Sequence, residues 1–225
     1  MSNGNGNGNG KEAGGGMNQL AGKGWSQGGA GNGLRADYAV IAAWVGEDSR
    51  VLDLGCGDGT LLRHLRTHKH VFGYGIEIDD ANVLAALANG NNVIQSDLEG
   101  GLAAFGDASF DSVVLSHTLQ AMHHIEALML EMVRVGREAI VTFPNFGYAP
   151  NREQVAAGRM PVSKILPYAW YNTPNIHLCT MLDFEELCAK LDLAILDRVA
   201  MAEGKRIEDE PNLNGELAIY RVKRR

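Results

Sequence analysis

A short glycine-rich run carries the clearest chemical signature in the chain. Gly55-Cys56-Gly57-Asp58-Gly59 directly follows three apolar residues and one acid at 51–54, and leucines then recur at helical spacing over 61–65. Glycines let the backbone turn tightly, and they let a ligand approach without interference from Cβ atoms. A buried strand, a glycine turn and the start of a helix are together typical of a nucleotide-binding site at the edge of a doubly wound sheet.

The spacing of the glycines bears on the kind of nucleotide. A dinucleotide fingerprint has its third Gly or Ala three residues after the second, a position that is Thr60 here, whereas the third glycine of this run is Gly59. The spacing in this chain is that of the first motif of class I S-adenosylmethionine-dependent methyltransferases. It predicts a nucleoside site, and a dinucleotide site or a purely structural turn are the alternatives.

Acidic residues lie at the ends of the next two predicted strands. Glu77 lies 18 residues beyond Gly59, the separation expected of a carboxylate that accepts hydrogen bonds from both ribose hydroxyls. Asp97 is placed to accept from an adenine amino group and Leu98 to pack on the ring, and a solvated loop acid is the alternative for Asp97. The predicted ligand is S-adenosylmethionine or S-adenosylhomocysteine. The residues predicted to bind it are Asp53, Gly55, Cys56, Gly57, Gly59, Glu77, Ile78, Asp97, Leu98 and Ser116.

The fourth predicted strand, 110–116, ends in Ser116-His117-Thr118-Leu119. Because ligands in open α/β sheets bind beyond the carboxyl ends of the strands, these residues are expected to face the methyl-donor end of the pocket. His117 is therefore a candidate catalytic residue, but the Asn/Asp-Pro-Pro-Tyr sequence of many amine methyltransferases is absent at this position. Methyl transfer can also proceed by proximity alone, so no catalytic residue is assigned.

The bulk composition restricts the function further. The chain has 225 residues and a net charge of −7 without a basic stripe, so a nucleic-acid partner is not expected. No run approaches the ~20 apolar residues needed to cross a membrane. Cys56, Cys179 and Cys188 are irregularly spaced, which gives neither a disulfide framework nor a metal site and favours a reducing, cytoplasmic location.

The chain divides into a tail and one domain. Residues 1–33 hold 13 of the 28 glycines, mixed with Asn, and show no apolar periodicity. They cannot bury enough surface to offset the entropy of ordering, so this tail is predicted to be disordered. Residues 34–225 are sufficient for a single α/β domain and short for two.

The predicted elements of this domain alternate between strands and helices. The first helix is amphipathic, with Arg35 and Asp37 on the face away from the sheet. A later helix begins at Asp183 as its N-cap, with Glu186 three residues on as the capping-box partner. Two β-rich runs, 193–200 and 216–222, complete a sheet of about seven strands. The predicted fold is α/β and Rossmann-like, a mostly parallel seven-stranded sheet with helices on both faces, as in class I methyltransferases.

Residues 144–180, hereafter the insert, form a long connection before this later helix. Five of the six prolines lie in the insert, together with Tyr148, Tyr168, Trp170 and Tyr171. Long connections of this kind are usually substrate lids or binding surfaces, and aromatic residues are enriched in interface cores. The insert is predicted to be a lid over the pocket or a partner-docking surface, with a structural cover as the remaining interpretation.

Several longer motifs give the chain a family resemblance. They are Gly75-Ile76-Glu77-Ile78-Asp79, Arg134-Val135-Gly136-Arg137, Phe143-Pro144-Asn145-Phe146-Gly147 and, the longest, Trp170-Tyr171-Asn172-Thr173-Pro174-Asn175-Ile176-His177-Leu178-Cys179-Thr180. On these residues the chain resembles the methionine biosynthesis protein MetW family over nearly all of 34–225. Two departures stand out, because the family usually has Gln in place of His117 and lacks the Gly/Asn-rich tail. The first of them argues against a catalytic role for His117.

The resemblance implies a methyltransferase-like protein that acts in methionine biosynthesis alongside homoserine O-acetyltransferase. The acetyltransferase carries its own nucleophile and does the chemistry on homoserine. This chain would then be an S-adenosylmethionine-binding accessory or regulatory partner. The alternative is an active methyltransferase for a small-molecule acceptor.

Overall fold

The structure is a computed structural model that describes residues 35–225, so the tail predicted at 1–33 lies outside the described residues. The strands are β1 (Arg50–Leu54), β2 (Phe72–Glu77), β3 (Asn92–Gln95), β4 (Phe110–Ser116), β5 (Gly136–Pro144), β6 (Leu193–Ala202), β7 (Lys205–Ile207) and β8 (Leu217–Arg224). They form one sheet in the order β3-β2-β1-β4-β5-β8-β6-β7. Neighbouring strands among β1–β5 are parallel, whereas β8 runs antiparallel to β5 and β6, and β7 runs antiparallel to β6.

The helices are α1 (Ala36–Trp44), α2 (Thr60–Lys69), α3 (Asp80–Ala88), α4 (Ile125–Val135), α5 (Ala149–Ala156), α6 (Met181–Lys190) and α7 (Pro211–Asn214). Ile41 of α1 and Leu65 of α2 belong to the apolar core on one face of the sheet. Met129 of α4 and Phe184 of α6 belong to a second core on the other face. The predicted α/β architecture with helices on both faces is therefore confirmed. None of the helices between residues 35 and 225 combines the length and the apolar character that crossing a bilayer requires.

The sheet has eight strands rather than the predicted seven. The additional strand, β7, has three residues and pairs with the end of β6 through a two-residue turn, Glu203-Gly204. Both turn residues have positive φ, 50° and 75°, as the tight hairpin turns that match strand twist require. A three-residue strand is too short to show alternation in the sequence, which is why the pattern did not predict it.

The start of α6 also differs from the prediction. Thr180 is its N-cap, and the Thr180 hydroxyl accepts a hydrogen bond from the Asp183 N–H at 3.2 Å. The Asp183 carboxylate in turn accepts from the Thr180 N–H at 2.8 Å. The prediction that Asp183 caps the helix is wrong, because Asp183 is the third-residue partner in a capping box that begins at Thr180.

The parallel strands bring the predicted site residues to one edge of the sheet. The glycine loop follows β1, Glu77 ends β2, Asp97 comes two residues after β3, and Ser116 ends β4. These four strands are adjacent and point the same way, so their carboxyl ends meet at this edge. In open α/β sheets this is the edge at which ligands bind.

Candidate functional site

The glycine loop that joins β1 to α2 is closely packed on two sides and open in the middle. Gly55, Gly57 and Gly59 all have positive φ, a conformation that side chains with a Cβ rarely adopt. A Cβ on Gly55 would lie 2.7 Å from the Thr118 hydroxyl, and one on Gly59 would lie 2.1 Å from Nδ2 of Asn91. A Cβ on Gly57 would meet no atom within 4 Å. The open space beside Gly57 is where a ligand can reach the backbone of the loop.

Glu77 connects the end of β2 to this loop. One carboxylate oxygen, Oε2, accepts a hydrogen bond from the Gly57 N–H at 2.8 Å. The other, Oε1, accepts from the N–H groups of Ile78 and Asp79, at 2.8 and 2.9 Å. An ionised carboxylate offers about four acceptor positions, so these three bonds leave Glu77 with acceptor capacity. The structure therefore gives Glu77 a role that the sequence did not reveal, that of holding the glycine loop in place.

Cys56 has its side chain turned away from the open part of the loop. It is 7% exposed and belongs to the apolar core that contains α1 and α2. A Cβ on Gly75 would come within 2.3 Å of the Cys56 sulfur, so the absence of a side chain at Gly75 makes room for the thiol. Burial raises the pKa of this thiol far above its usual value. Cys56 can therefore contact a ligand only through its backbone.

Asp97 and Leu98 lie at the carboxyl end of β3, beside the end of β2. Asp97 is exposed and caps a short 3-10 turn, Leu98–Gly100, by accepting a hydrogen bond from the Glu99 N–H at 2.9 Å through one carboxylate oxygen. Leu98 is buried in the core on the α4 side of the sheet. The Asp97 carboxylate is thus near the edge where it was predicted, and its second oxygen can accept further bonds.

Asp53 is the acid within the buried strand β1. Its side chain is 2% exposed, and burial raises the pKa of the carboxyl to about 7. The positive charge of Arg35 opposes this shift, whereas the negative charge of Glu77 adds to it. A buried carboxyl group with a strongly raised pKa, at the carboxyl edge of a parallel sheet, is a candidate functional group.

Arg35 and Asp37, at the start of α1, form a partly buried ion pair beside the end of β4. Arg35 Nε donates to Asp37 Oδ1 at 3.0 Å, and Arg35 Nη2 donates to Asp37 Oδ2 and, at 2.8 Å, to the Ser116 hydroxyl. The guanidinium also lies over the Tyr38 ring, 4.5 Å from its centre. The prediction that Asp37 lies on the solvent side of α1 is wrong, because Asp37 is 2% exposed. Arg35 is the N-cap of α1 and is partly exposed. The predicted binding residue Ser116 is engaged by this pair.

His117 lies behind the ion pair, with Nε2 at 3.4 Å from Asp37 Oδ2. It is buried, and its main-chain N–H donates to the carbonyl and the hydroxyl of Thr142, both at 3.0 Å. Burial lowers the His117 pKa to about 4, with the nearby Arg35 charge acting in the same direction and Asp37 opposing both. His117 is therefore neutral at pH 7. Burial would raise the pKa of Asp37, but His117 and Arg35 outweigh it and hold that pKa far below its usual value.

The turn after His117 joins the carboxyl edge of the sheet to the insert. The Gln120 side chain donates to the His117 carbonyl at 2.7 Å. The Gln120 carbonyl accepts main-chain hydrogen bonds from Ile176 at 2.8 Å and His177 at 3.0 Å. The late part of the insert is therefore tied directly to the segment that follows β4.

The start of the insert is fixed by Asn145, which is fully buried. Its side-chain amide donates to the carbonyls of Asn212, at 2.9 Å, and Gly215, at 2.8 Å. Its side-chain oxygen accepts from the Gly147 N–H at 3.0 Å. Sequence analysis did not single out Asn145, although its place directly after a strand-ending proline was a signal for a structured turn.

Between these anchors the insert exposes apolar side chains. Trp170 and Tyr171 are each 73% exposed and lie edge to face, with ring centres 5.7 Å apart. Further exposed apolar residues of the insert are Val155, Met160, Val162, Ile176 and Leu178. A pocket of about 40 Å³ is lined by Phe146, Met160, Pro161, Leu166, Tyr168, Trp170, Thr173, Asn175 and Leu178. Within residues 35–225, no three potential metal ligands converge here or elsewhere.

Comparison with known proteins gives a family and a fold. The family model described as methionine biosynthesis protein MetW matches residues 35–222. A relative from Rhodopirellula baltica, the bifunctional methionine biosynthesis protein MetXA/MetW, is 39% identical over 200 residues, which are 83% of this chain and 32% of that protein. The chain thus spans about a third of the length of this relative.

Among solved structures, the chain is similar to an S-adenosylmethionine-dependent methyltransferase from Mesorhizobium loti, with a TM-score of 0.63 and 17% identity over 84% of this chain and 98% of the other. A TehB-like S-adenosylmethionine-dependent methyltransferase from Corynebacterium glutamicum gives a TM-score of 0.58 and 16% identity, over 85% and 89% of the two chains. At these identities the likeness shows the fold alone. The family match, by contrast, extends over nearly all of the described residues and confirms the resemblance found in the sequence: the chain belongs to the methionine biosynthesis protein MetW family.

Proposed function

We propose that this protein binds S-adenosylmethionine or S-adenosylhomocysteine and acts as an accessory, regulatory partner of homoserine O-acetyltransferase. The observation that carries the proposal is the relative named MetXA/MetW, which by its name joins a MetXA part and a MetW part in one chain. We take the MetXA part to be the acetyltransferase that the family resemblance names. Fusion keeps two domains at high effective concentration, an advantage when they act together.

The cradle at the carboxyl edge of the sheet supports a nucleoside ligand. The glycine loop is open beside Gly57, which allows close approach to the backbone. Glu77 has acceptor capacity for ribose hydroxyls beyond its three backbone bonds. Asp97 has one carboxylate oxygen outside its turn for the adenine amino group, and the exposed side chain of Ile78 offers apolar surface for the ring, whereas Leu98 is taken up by the core. When bound, S-adenosylmethionine would supply an activated methyl group or, for a regulatory protein, a signal of how much of it is present.

The insert supports a docking surface. Its exposed aromatic pair, Trp170 and Tyr171, is the kind of anchor that interface cores use. The anchors at Asn145 and Gln120 hold the two ends of the insert in place, so little ordering entropy would be lost on binding. A lid over the nucleoside is the alternative role, which the hydrogen bonds to Gln120 also accommodate.

Acetylation of homoserine by the cognate acetyltransferase tests the accessory role. The rate is measured with and without this protein while S-adenosylmethionine is titrated. We expect the protein to raise the rate, Trp170→Ala to remove the increase, and Phe72→Ala to leave it unchanged. Phe72 is a matched control because it is also an aromatic residue with most of its surface exposed, at the start of β2 and outside the insert.

The outcomes separate the parts of the proposal. No change in rate at any protein ratio would refute the accessory role. A rate increase that does not respond to S-adenosylmethionine at saturating concentrations would refute the sensing role alone. If Trp170→Ala and Phe72→Ala reduce the increase in acetylation rate equally, the insert is not the docking surface.

The second candidate function is methyl transfer to a small molecule. The fold and the position of His117 at the end of β4 favour it, whereas the burial of His117 behind Asp37 does not. A radiolabelled methyl donor incubated with cell extract distinguishes the two functions. Transfer to a defined acceptor that is lost in the Glu77→Ala variant would favour the enzyme.

A further inference from the structure

The insert has the opposite charge to the rest of the chain. It holds three cationic side chains and one acidic one, namely Arg152, Arg159, Lys164 and Glu153, which gives it a net charge of +2. The whole chain carries −7, so the residues outside the insert carry −9. Surfaces of opposite sign attract each other and surfaces of the same sign repel, so the insert favours a different kind of partner from the rest of the molecule.

The three cations of the insert are exposed and are not neutralised within the described part of the chain. No ion pair among residues 35–225 includes Arg152, Arg159 or Lys164. Arg152 Nε donates to the main-chain carbonyl of Gly147, which is a neutral acceptor. The positive charge of the insert therefore faces solvent, where an acidic partner can reach it.

Two of these cations flank the apolar pocket of the insert. Arg159 directly precedes Met160, which lines the pocket. Lys164 lies within a turn that is closed by a hydrogen bond of 2.9 Å from the Ser163 N–H to the Leu166 carbonyl, and Leu166 also lines the pocket. An apolar centre with charged groups beside it is the usual anatomy of a protein interface.

The segment between the two cations is held against α5. Gln154 Oε1 accepts a hydrogen bond from the Val162 N–H at 3.1 Å, and Gln154 Nε2 donates to the Val162 carbonyl at 3.3 Å. These bonds fix the backbone that carries Arg159 and Lys164, so little ordering entropy would be lost when a partner binds there.

We propose that the insert docks an acidic surface of the acetyltransferase, with carboxylates of that surface facing Arg159 and Lys164 and a small apolar side chain of it in the pocket. The pocket has a volume of about 40 Å³, which admits a small group and no more. This inference rests on the proposed accessory role, and it adds the chemistry of the partner's surface and the residues that select it.

Surface plasmon resonance with the full chain and the cognate acetyltransferase tests the inference at salt concentrations from about 50 to about 500 mM. The affinity of the wild type should fall as salt rises, because salt screens exposed charges. Arg159→Gln/Lys164→Gln should weaken binding about threefold to thirtyfold at low salt through slower association, and its affinity should depend less on salt. Trp170→Ala should weaken binding and keep the salt dependence of the wild type, because it removes apolar contact and no charge.

Lys223→Gln/Arg224→Gln is the matched control, since it changes the net charge by the same amount. Both residues are exposed, and no ion pair among residues 35–225 includes either of them. They lie near the end of β8, which runs antiparallel to β5, so they are at the edge of the sheet opposite to the one from which the insert leaves. We expect this variant to bind the acetyltransferase as the wild type does.

Each other result has one meaning. If the acetyltransferase does not bind the wild type, the proposed function fails and the inference with it. If it binds and neither salt nor Arg159→Gln/Lys164→Gln changes the affinity, the inference is overturned while the accessory role stands. Equal losses in the two double variants would show a response to net charge alone, which also overturns it.

Sedimentation velocity of the protein alone examines the competing occupant, the acidic part of a second copy of this chain. We expect the wild type and Arg159→Gln/Lys164→Gln to sediment alike. Self-association of the wild type that this variant abolishes would assign the insert to a second copy and overturn the inference. If a variant does not fold, the salt dependence of the wild type decides, because affinity that is independent of salt contradicts charged docking.

Discussion

Asp53→Asn is expected to stabilise the ligand-free protein at and above neutral pH. Burial raises the Asp53 pKa from the usual 3.8 to about 7, against the opposing charge of Arg35. At about 1.4 kcal/mol for each pKa unit, ionising this buried carboxylate lowers the free energy of unfolding by roughly 4 kcal/mol. The amide carries no charge, but a buried amide without partners costs about 1–3 kcal/mol. The expected net gain is therefore about 1–3 kcal/mol.

The direction in which stability changes with pH depends on whether the folded or the unfolded state binds the Asp53 proton more tightly. The Asp53 pKa is higher in the folded protein, so the folded state binds more protons than the unfolded chain between pH 3.8 and about 7. The stability that this group contributes is thus present at low pH and is lost as pH rises through about 7. The advantage of the Asn variant over the wild type should be smallest near the bottom of this range, grow toward neutral pH and then level off.

Urea unfolding of the wild type and Asp53→Asn at several pH values from about 5 to about 8 measures this difference. Asp48→Asn is the matched control, because Asp48 is exposed and its positive φ of 54° is one that Asn tolerates. We expect the control to follow the wild type at every pH. A loss of stability in Asp53→Asn at the upper end of the range, or a difference that does not vary with pH, would refute the assignment of a buried carboxyl group with a raised pKa.

Three further predictions concern His117, the glycine loop and the start of the insert. The His117 pKa falls from 6.5 to about 4 on folding, so the unfolded chain binds more protons in that interval and wild-type stability is lost as pH drops through it. The melting temperature of His117→Gln should therefore vary less with pH over this interval than that of the wild type. Parallel plots of melting temperature against pH for the two proteins would contradict the burial of a neutral imidazole. Gly59→Ala should lose roughly 2–4 kcal/mol in urea unfolding because its Cβ would overlap Asn91 and its φ is positive, whereas Gly57→Ala, with open space around it, should lose only about 1 kcal/mol. Equal losses in the two variants would show that the loop is not open on the Gly57 side. Asn145→Ala should lose about 2–4 kcal/mol because two main-chain carbonyls lose their donor, and limited proteolysis should then cut the insert faster. Unchanged cleavage of the insert would show that Asn145 does not hold it.

The glycine loop and the acid at the end of β2 could be predicted because their signals are local. A run of apolar residues, glycines at fixed spacing and an acid about one β–α unit later are all visible within 30 residues of sequence. The handedness and adjacency rules of α/β folds then restrict the strand orders that are possible. The fold and the edge that carries the site were therefore accessible without a structure.

The Arg35–Asp37 pair could not be predicted, for a physical reason. Hydrophobic periodicity assigns the polar residues of an amphipathic helix to solvent, since burying a charge without a partner is costly. The pair can be buried because Arg35 and Asp37 neutralise each other and also contact Ser116 and His117 at the end of β4, and Ser116 is 79 residues from Asp37 in the chain. The N-cap of α6 was misplaced for a more local reason, because Thr180 and Asp183 are both good capping residues and only the backbone shows which of them begins the helix.

The turn at 117–120 contacts both the glycine loop and the insert. A Cβ on Gly55 would lie only 2.7 Å from the Thr118 hydroxyl, so this turn packs closely against the glycine loop. The Gln120 carbonyl accepts two main-chain hydrogen bonds from the insert. A ligand that displaces the loop must either break those two bonds or carry the neighbouring part of the insert along with it. The glycine loop and the part of the insert at Ile176 and His177 are therefore coupled through this one turn.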